Sequence, residues 1–158
     1  MAAPAEIATA AIILHILSAV VWVGGMFFAH QALRPAMVTL EPGPRFLLWL
    51  GVLERFFAWV FAAIVLLLAS GYVLVVFVYG GLRAVPLWVN LMQGIGIVMM
   101  LIFLHLFFAP WRRFRRAVAR ADWTESARQL GQVRRFVTVN LLLGLIVVAI
   151  GGSGHHWG

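Results

Sequence analysis

The sequence predicts an all-α integral membrane protein, a bundle of four spanning helices. Three observations lead there. The 158 residues are 64% hydrophobic and 11% charged, with a mean hydropathy of +1.01, whereas a soluble domain runs nearer ~45–50% apolar and ~25% charged. Apolar runs long enough for a ~30 Å hydrocarbon core recur four times along the chain. The third is the placement of charge: all 12 basic residues are Arg, and eight of them fall between Arg112 and Arg135. Together these exclude an ordinary cytosolic domain, a disordered chain and a secreted disulfide scaffold. With no Cys there is no thiolate metal site either.

The first span covers about 7–29. It lacks a basic leader and is too long for a signal-peptide core, so it reads as a retained helix. Arg34-Pro35 and Glu41-Pro42-Gly43-Pro44 are expected to break the chain after it. The second span is about 57–79, with an amphipathic lead-in from Pro44, and Gly80-Gly81 ends it. Pro86 opens the third span, about 87–109, at a position where a missing N–H costs little. Pro110 is expected to close that span. The stretch 111–135 then reads as a short interfacial helix, with Phe114, Val118, Trp123 and Leu130 spaced among arginines. The fourth span is about 136–152. The whole chain is expected to form one domain.

Orientation follows from counting Arg by side. The first and third connections, with the start of span two, hold eleven; only Arg83 lies on the other side. The positive-inside rule then puts both termini away from the cytoplasm. The same rule accounts for the net charge of +7 without nucleic acid, so the expected partner is the lipid bilayer.

Ionisable groups are expensive in lipid, which makes an intramembrane His a functional candidate. There are three: His15, His30 and His105. On the helical repeat, His15, Ser18, Trp22, Gly25 and Ala29 share one face of span one, with His30 beside it. Asn90, Gly94, Val98, Leu101 and His105 share a face of span three, and Asn140, Gly144, Val148 and Gly151 a face of span four. Each stripe carries Gly and is expected to look into the bundle. Dead reckoning puts His15 in one layer with Tyr72, Asn90 and Gln93. It puts His30 and His105 near the arginine-rich end with Arg55 and Asn140.

Neutral imidazole suits either haem iron or copper. The metal candidates are therefore His15, His30 and His105. Haem would add positive partners for its carboxylates, such as Arg55 with Arg112 and Arg113. Glu54 and Arg55 read as an interfacial pair, and His155-His156-Trp157 as a weaker surface metal catch. There is no phosphate-binding Gly loop, no HExxH and no Asp or Glu deep in a span, so no catalytic residue is assigned.

The segment Leu14-His15 … Val21-Trp22-Val23-Gly24-Gly25-Met26-Phe27-Phe28 … Leu33-Arg34-Pro35 resembles the first helix of the CopD-like family, the membrane part of copper resistance protein D. Arg55-Phe56-Phe57-Ala58-Trp59 with Leu68-Ala69-Ser70-Gly71, and the stretch from His105 to Arg116, are similar to its next two helices. The resemblance implies a multi-pass protein of the bacterial inner membrane with a role in copper handling; in that membrane the arginine count makes both termini periplasmic. The same pattern is similar to the HemJ-type protoporphyrinogen oxidases, four-helix proteins with a first-helix His and haem b. That family expects a Lys early in its third helix, where this chain has Asn90 and Gln93 and contains no Lys. The cofactor expectation is thus haem b or copper. The partner expectation includes a second copy or a larger membrane complex, joined through Gly-rich faces in the case of an accessory subunit.

Overall fold

The computed structural model describes residues 4–157, with the side chains of Pro4 and His155 outside the described set. Four long helices account for almost all of it: α1 (Ala5–Thr39), α2 (Pro42–Phe77), α3 (Leu87–Ala119) and α4 (Trp123–Ser153). All four are long and apolar enough to cross a membrane. The shortest, at 31 residues, is about 46 Å long at 1.5 Å per residue, well beyond the ~30 Å that lipid requires. The excess lies at the arginine-rich end.

That length revises three expectations. Pro35 does not break α1, and Pro110 does not close α3. In each case the helix widens locally into a π turn, at Ala29–Leu33 just before Pro35 and at Phe107–Trp111 around Pro110. Proline has no N–H to donate and its ring crowds the carbonyl four residues back. A π turn makes room for both without ending the helix. The third revision concerns 111–135, which is not an interfacial helix lying in the membrane plane. It is the end of α3 and the start of α4, joined by a turn at 120–122 in which Ala121 takes φ +52°. Phe114, Val118 and Leu130 are buried there, and Trp123 stacks on Phe46 of α2 at 6.0 Å. Asp122 caps α4 by accepting from the Glu125 N–H at 2.9 Å. The break between α1 and α2 is confined to residues 40–41, and α2 begins on Pro42 at a position that suits proline. Between α2 and α3, Gly80 and Gly81 supply the positive φ values of the turn, and Pro86 caps α3.

The helices form two antiparallel hairpins, α1–α2 and α3–α4, and α4 closes the bundle against α1 and α2. Aromatic side chains fill the centre edge to face: Trp22 on Phe103 at 6.2 Å, Phe57 on Phe103 at 5.5 Å and Phe57 on Trp111 at 5.1 Å. Small residues set the close approaches. A Cβ on Gly25 would collide with the Phe56 ring, and one on Gly144 would sit 2.8 Å from Val23 Cγ2. Asn140 ties α4 to α3 by donating to the Met99 carbonyl at 3.0 Å.

The expected faces hold for α1, where Ser18, Trp22 and Ala29 are buried, and for Asn140 and Gly144 of α4. On α4 the stripe drifts outward at Val148, which is exposed. On α3 the expectation is overturned. Asn90, Gly94, Val98, Leu101 and His105 are all exposed, and the inner face is instead Met99, Phe103, Leu106, Trp111 and Phe114. In lipid, association comes from packing contact rather than from hiding apolar surface. The bulky face therefore wins over the small and polar one.

Candidate functional site

His15 stands on α1 facing α2, partly buried, where Ser70 and Gly71 face it. The Ser70 Oγ donates its one proton to the Leu66 carbonyl at 2.6 Å. It lies 2.9 Å from His15 Nδ1. With the hydroxyl proton committed, Ser70 can only accept from the ring, so Nδ1 carries the imidazole proton and Nε2 keeps its lone pair. Gly71 makes room: a Cβ there would stand 3.3 Å from His15 Cε1. Ser18, one turn further along, is satisfied by the Leu14 carbonyl at 2.7 Å and makes no further polar contact with the ring. The result is an oriented imidazole between two membrane helices; in its neutral form Nε2 carries the lone pair with which His binds metals.

His30 lies in the π turn Ala29–Leu33 of α1. Its Nδ1 is buried without a hydrogen-bond partner, beside Arg34, Trp49 and Arg134 around a cavity of about 20 Å³. His15 and His30 are fifteen residues apart on one helix, a rise of about 22 Å, so they belong to different levels of the bundle. His105 is on the exposed side of α3, edge-on to Phe136 of α4 at 5.1 Å. Arg55 is exposed and donates to the Gly51 carbonyl of its own helix at 2.9 Å. Glu54 does not pair with Arg55; it reaches Arg115 of α3 at 3.5 Å, with both groups more than half exposed, and such pairs contribute little, ~0–1 kcal/mol. In the tail, Trp157 Nε1 donates to Ser153 Oγ at 3.3 Å, while the His155 side chain lies outside the described residues. Among the described residues no three His, Asp or Glu side chains converge as a metal-ligating group.

The sequence singles out His15 as a candidate and does not pair it with Ser70. Ser70 was legible only as part of a Leu-Ala-Ser-Gly run; nothing in one-dimensional spacing pairs residue 15 with residue 70. The sequence also gave no weight to a cluster of Arg34, Arg45 and Arg134 where α1, α2 and α4 meet at the arginine-rich end.

Neither a curated protein nor a solved structure matches this chain. A family model does, from Leu50 on α2 to Ser153 at the end of α4, which takes in Ser70, Gly71 and His105 and leaves out all of α1 and the first turns of α2. Four apolar helices and no strand among the described residues fit a helical, multi-pass protein of the inner-membrane type. Since the match spans residues 50–153, well over half of the chain, the protein belongs to the copper resistance protein D family.

Proposed function

We propose that the protein handles copper in the membrane and that His15 Nε2 is its intramembrane contact with the ion. The observation that carries this reading is the Leu66–Ser70–His15 relay. A carbonyl fixes the serine, the serine fixes the ring, and the remaining nitrogen is a neutral donor. Second-layer hydrogen bonds of this kind orient metal-ligating histidines, and their loss costs about 10–100-fold in affinity. Imidazole suits copper in either oxidation state. A lone imidazole makes a weak site, which suits passage better than storage. In this reading both termini face the periplasm, which the arginine distribution supports.

The test is copper bound per mole of the full-length protein, loaded with Cu(I) in lipid nanodiscs. His15→Ala abolishes most of the binding, and His105→Ala leaves it intact. Ser70→Ala keeps the ligand but frees the ring, weakening copper by about 10–100-fold. Equal copper retention by wild type and His15→Ala refutes the reading.

A further inference from the structure

At the arginine-rich end, α1, α2 and α4 line an open pocket of about 200 Å³ whose walls include Arg34, Arg45, Arg134, Met37, Trp49 and Leu130. That is several times the ~30 Å³ share of a water molecule in the liquid. Among the described residues none of the three arginines is in an ion pair; of the acids at this end, Glu54 and Glu125 pair with Arg115 and Arg128, Asp122 caps α4, and Glu41 stands at the start of α2, four residues before Arg45. The charges of Arg34 and Arg45 both bear on the Arg134 guanidinium, which is partly buried. Arg45 is also held over the Phe46 ring, 5.2 Å from its centroid. Three cations gathered with no carboxylate paired to them repel one another, and the arrangement is stabilised by an anion placed among them. The walls set its kind. Guanidinium forks match the paired oxygens of a phosphate group, and Met37, Trp49 and Leu130 give the pocket an apolar floor. Arg34, Trp49, Leu130 and Arg134 continue inward to the smaller cavity, where the buried Nδ1 of His30 has no partner.

We infer that Arg34, Arg45 and Arg134 form a binding site for a phosphate group, carried by an anionic lipid headgroup or by a free phosphate. The site is independent of the copper reading: Arg34 lies nineteen residues along α1 from His15, a rise of about 28 Å.

The experiment uses the full-length protein in phosphatidylcholine nanodiscs and reads its melting temperature. One arm adds inorganic phosphate at fixed ionic strength; the other replaces part of the lipid with phosphatidylglycerol. A group bound only by the folded state raises the melting temperature. Stabilisation by inorganic phosphate identifies a free-phosphate site. Stabilisation by phosphatidylglycerol alone identifies a headgroup site. In either case R34Q/R45Q/R134Q abolishes the effect, while R112Q/R116Q/R120Q, which removes three exposed charges outside the cavity, preserves it. If the triple variant does not fold, Arg45→Gln at the cavity rim takes its place and lowers phosphate affinity by about tenfold or more, the loss expected for one charged hydrogen bond. Stabilisation in neither arm, or equal loss in the cavity and control variants, overturns the inference, since it reduces the effect to general attraction between a basic surface and anions.

Discussion

Gly144 offers the sharpest test of how the bundle closes. Its Cα faces α1, and a Cβ added there would lie 2.8 Å from Val23 Cγ2 and 3.2 Å from Met99 Cε. The methionine end can swing away. The valine cannot easily do so, because a β-branched side chain in a helix has essentially one rotamer. Gly144→Ala must therefore push α1 and α4 apart by a few tenths of an ångström. Overpacking of that kind costs about 1–3 kcal/mol, or about 5- to 150-fold in the unfolding constant. A double-mutant cycle isolates the contact. Val23→Ala removes both methyl groups, and in that background Gly144→Ala should cost little, leaving a coupling of about 1 kcal/mol or more. Reversible unfolding of the full-length protein in mixed micelles, followed by tryptophan fluorescence, measures all four corners. If the two substitutions add within about 0.5 kcal/mol, Val23 and Gly144 do not touch and the seam between α1 and α4 is wrongly placed.

Asp122→Ala removes the cap of α4 and should destabilise the protein by about 1 kcal/mol in the same assay; no change would mean that the short turn holds α4 without its cap. Ala121→Gly should stabilise by about 0.5–1 kcal/mol, because the left-handed backbone costs a non-glycine residue about 1–2 kcal/mol and glycine returns part of that as chain entropy. A loss of stability there would contradict the positive φ. Reporter fusions after Gly158 and within 117–129 should report opposite sides of the membrane, with the terminus outside the cytoplasm; a cytoplasmic C-terminus would overturn the orientation argued from arginine.

Much of the fold was legible because the signals were strong and local. Four apolar runs, Gly80-Gly81 and Pro86 each act over a few residues, and the structure keeps them. The ends were harder. Proline was read as a stop at Pro35 and Pro110, yet π turns carry both helices through. No residue type announces a π turn in advance. The cap at Asp122 was readable in Asp122-Trp123-Thr124-Glu125, a polar residue followed three later by Glu, and an apolar-first reading passed over it. Faces were legible on α1 because small, polar and aromatic residues coincide there. On α3 they diverge: Asn90 turns back on the Val85 and Pro86 carbonyls, His105 meets Phe136, and the aromatic side packs inward. A polar stripe satisfied by its own helix end has no need of the bundle interior.

The two proposed sites share an architecture that explains why spacing alone did not reveal them. Each takes part of its chemistry from α1 and part from a helix that only folding brings alongside. The ligand candidate His15 is on α1, but the serine that fixes its tautomer is on α2. Arg34 is on α1, Arg45 on the first turns of α2 and Arg134 on α4. The family match begins at Leu50, so it contains Ser70 and Arg134 but neither His15, Arg34 nor Arg45. Family membership thus supports the scaffold that receives α1, while the case for each site rests on how α1 is seated. That seating depends on small residues at its contacts: Gly71 beneath the His15 ring, Gly25 against Phe56 and Gly144 against Val23. A shift of α1 by one turn, about 5.4 Å, would break the hydrogen bond from His15 to Ser70 and move Arg34 away from Arg134 together. Gly144→Ala acts on one of these seams only: it moves α1 and α4 apart by a few tenths of an ångström, and so bears on Arg34 and Arg134, which stand on those two helices. The His15–Ser70 pair lies within the α1–α2 hairpin, so Gly144→Ala in a variant that still folds should weaken phosphate binding and leave copper binding in place, although residue 144 touches neither site.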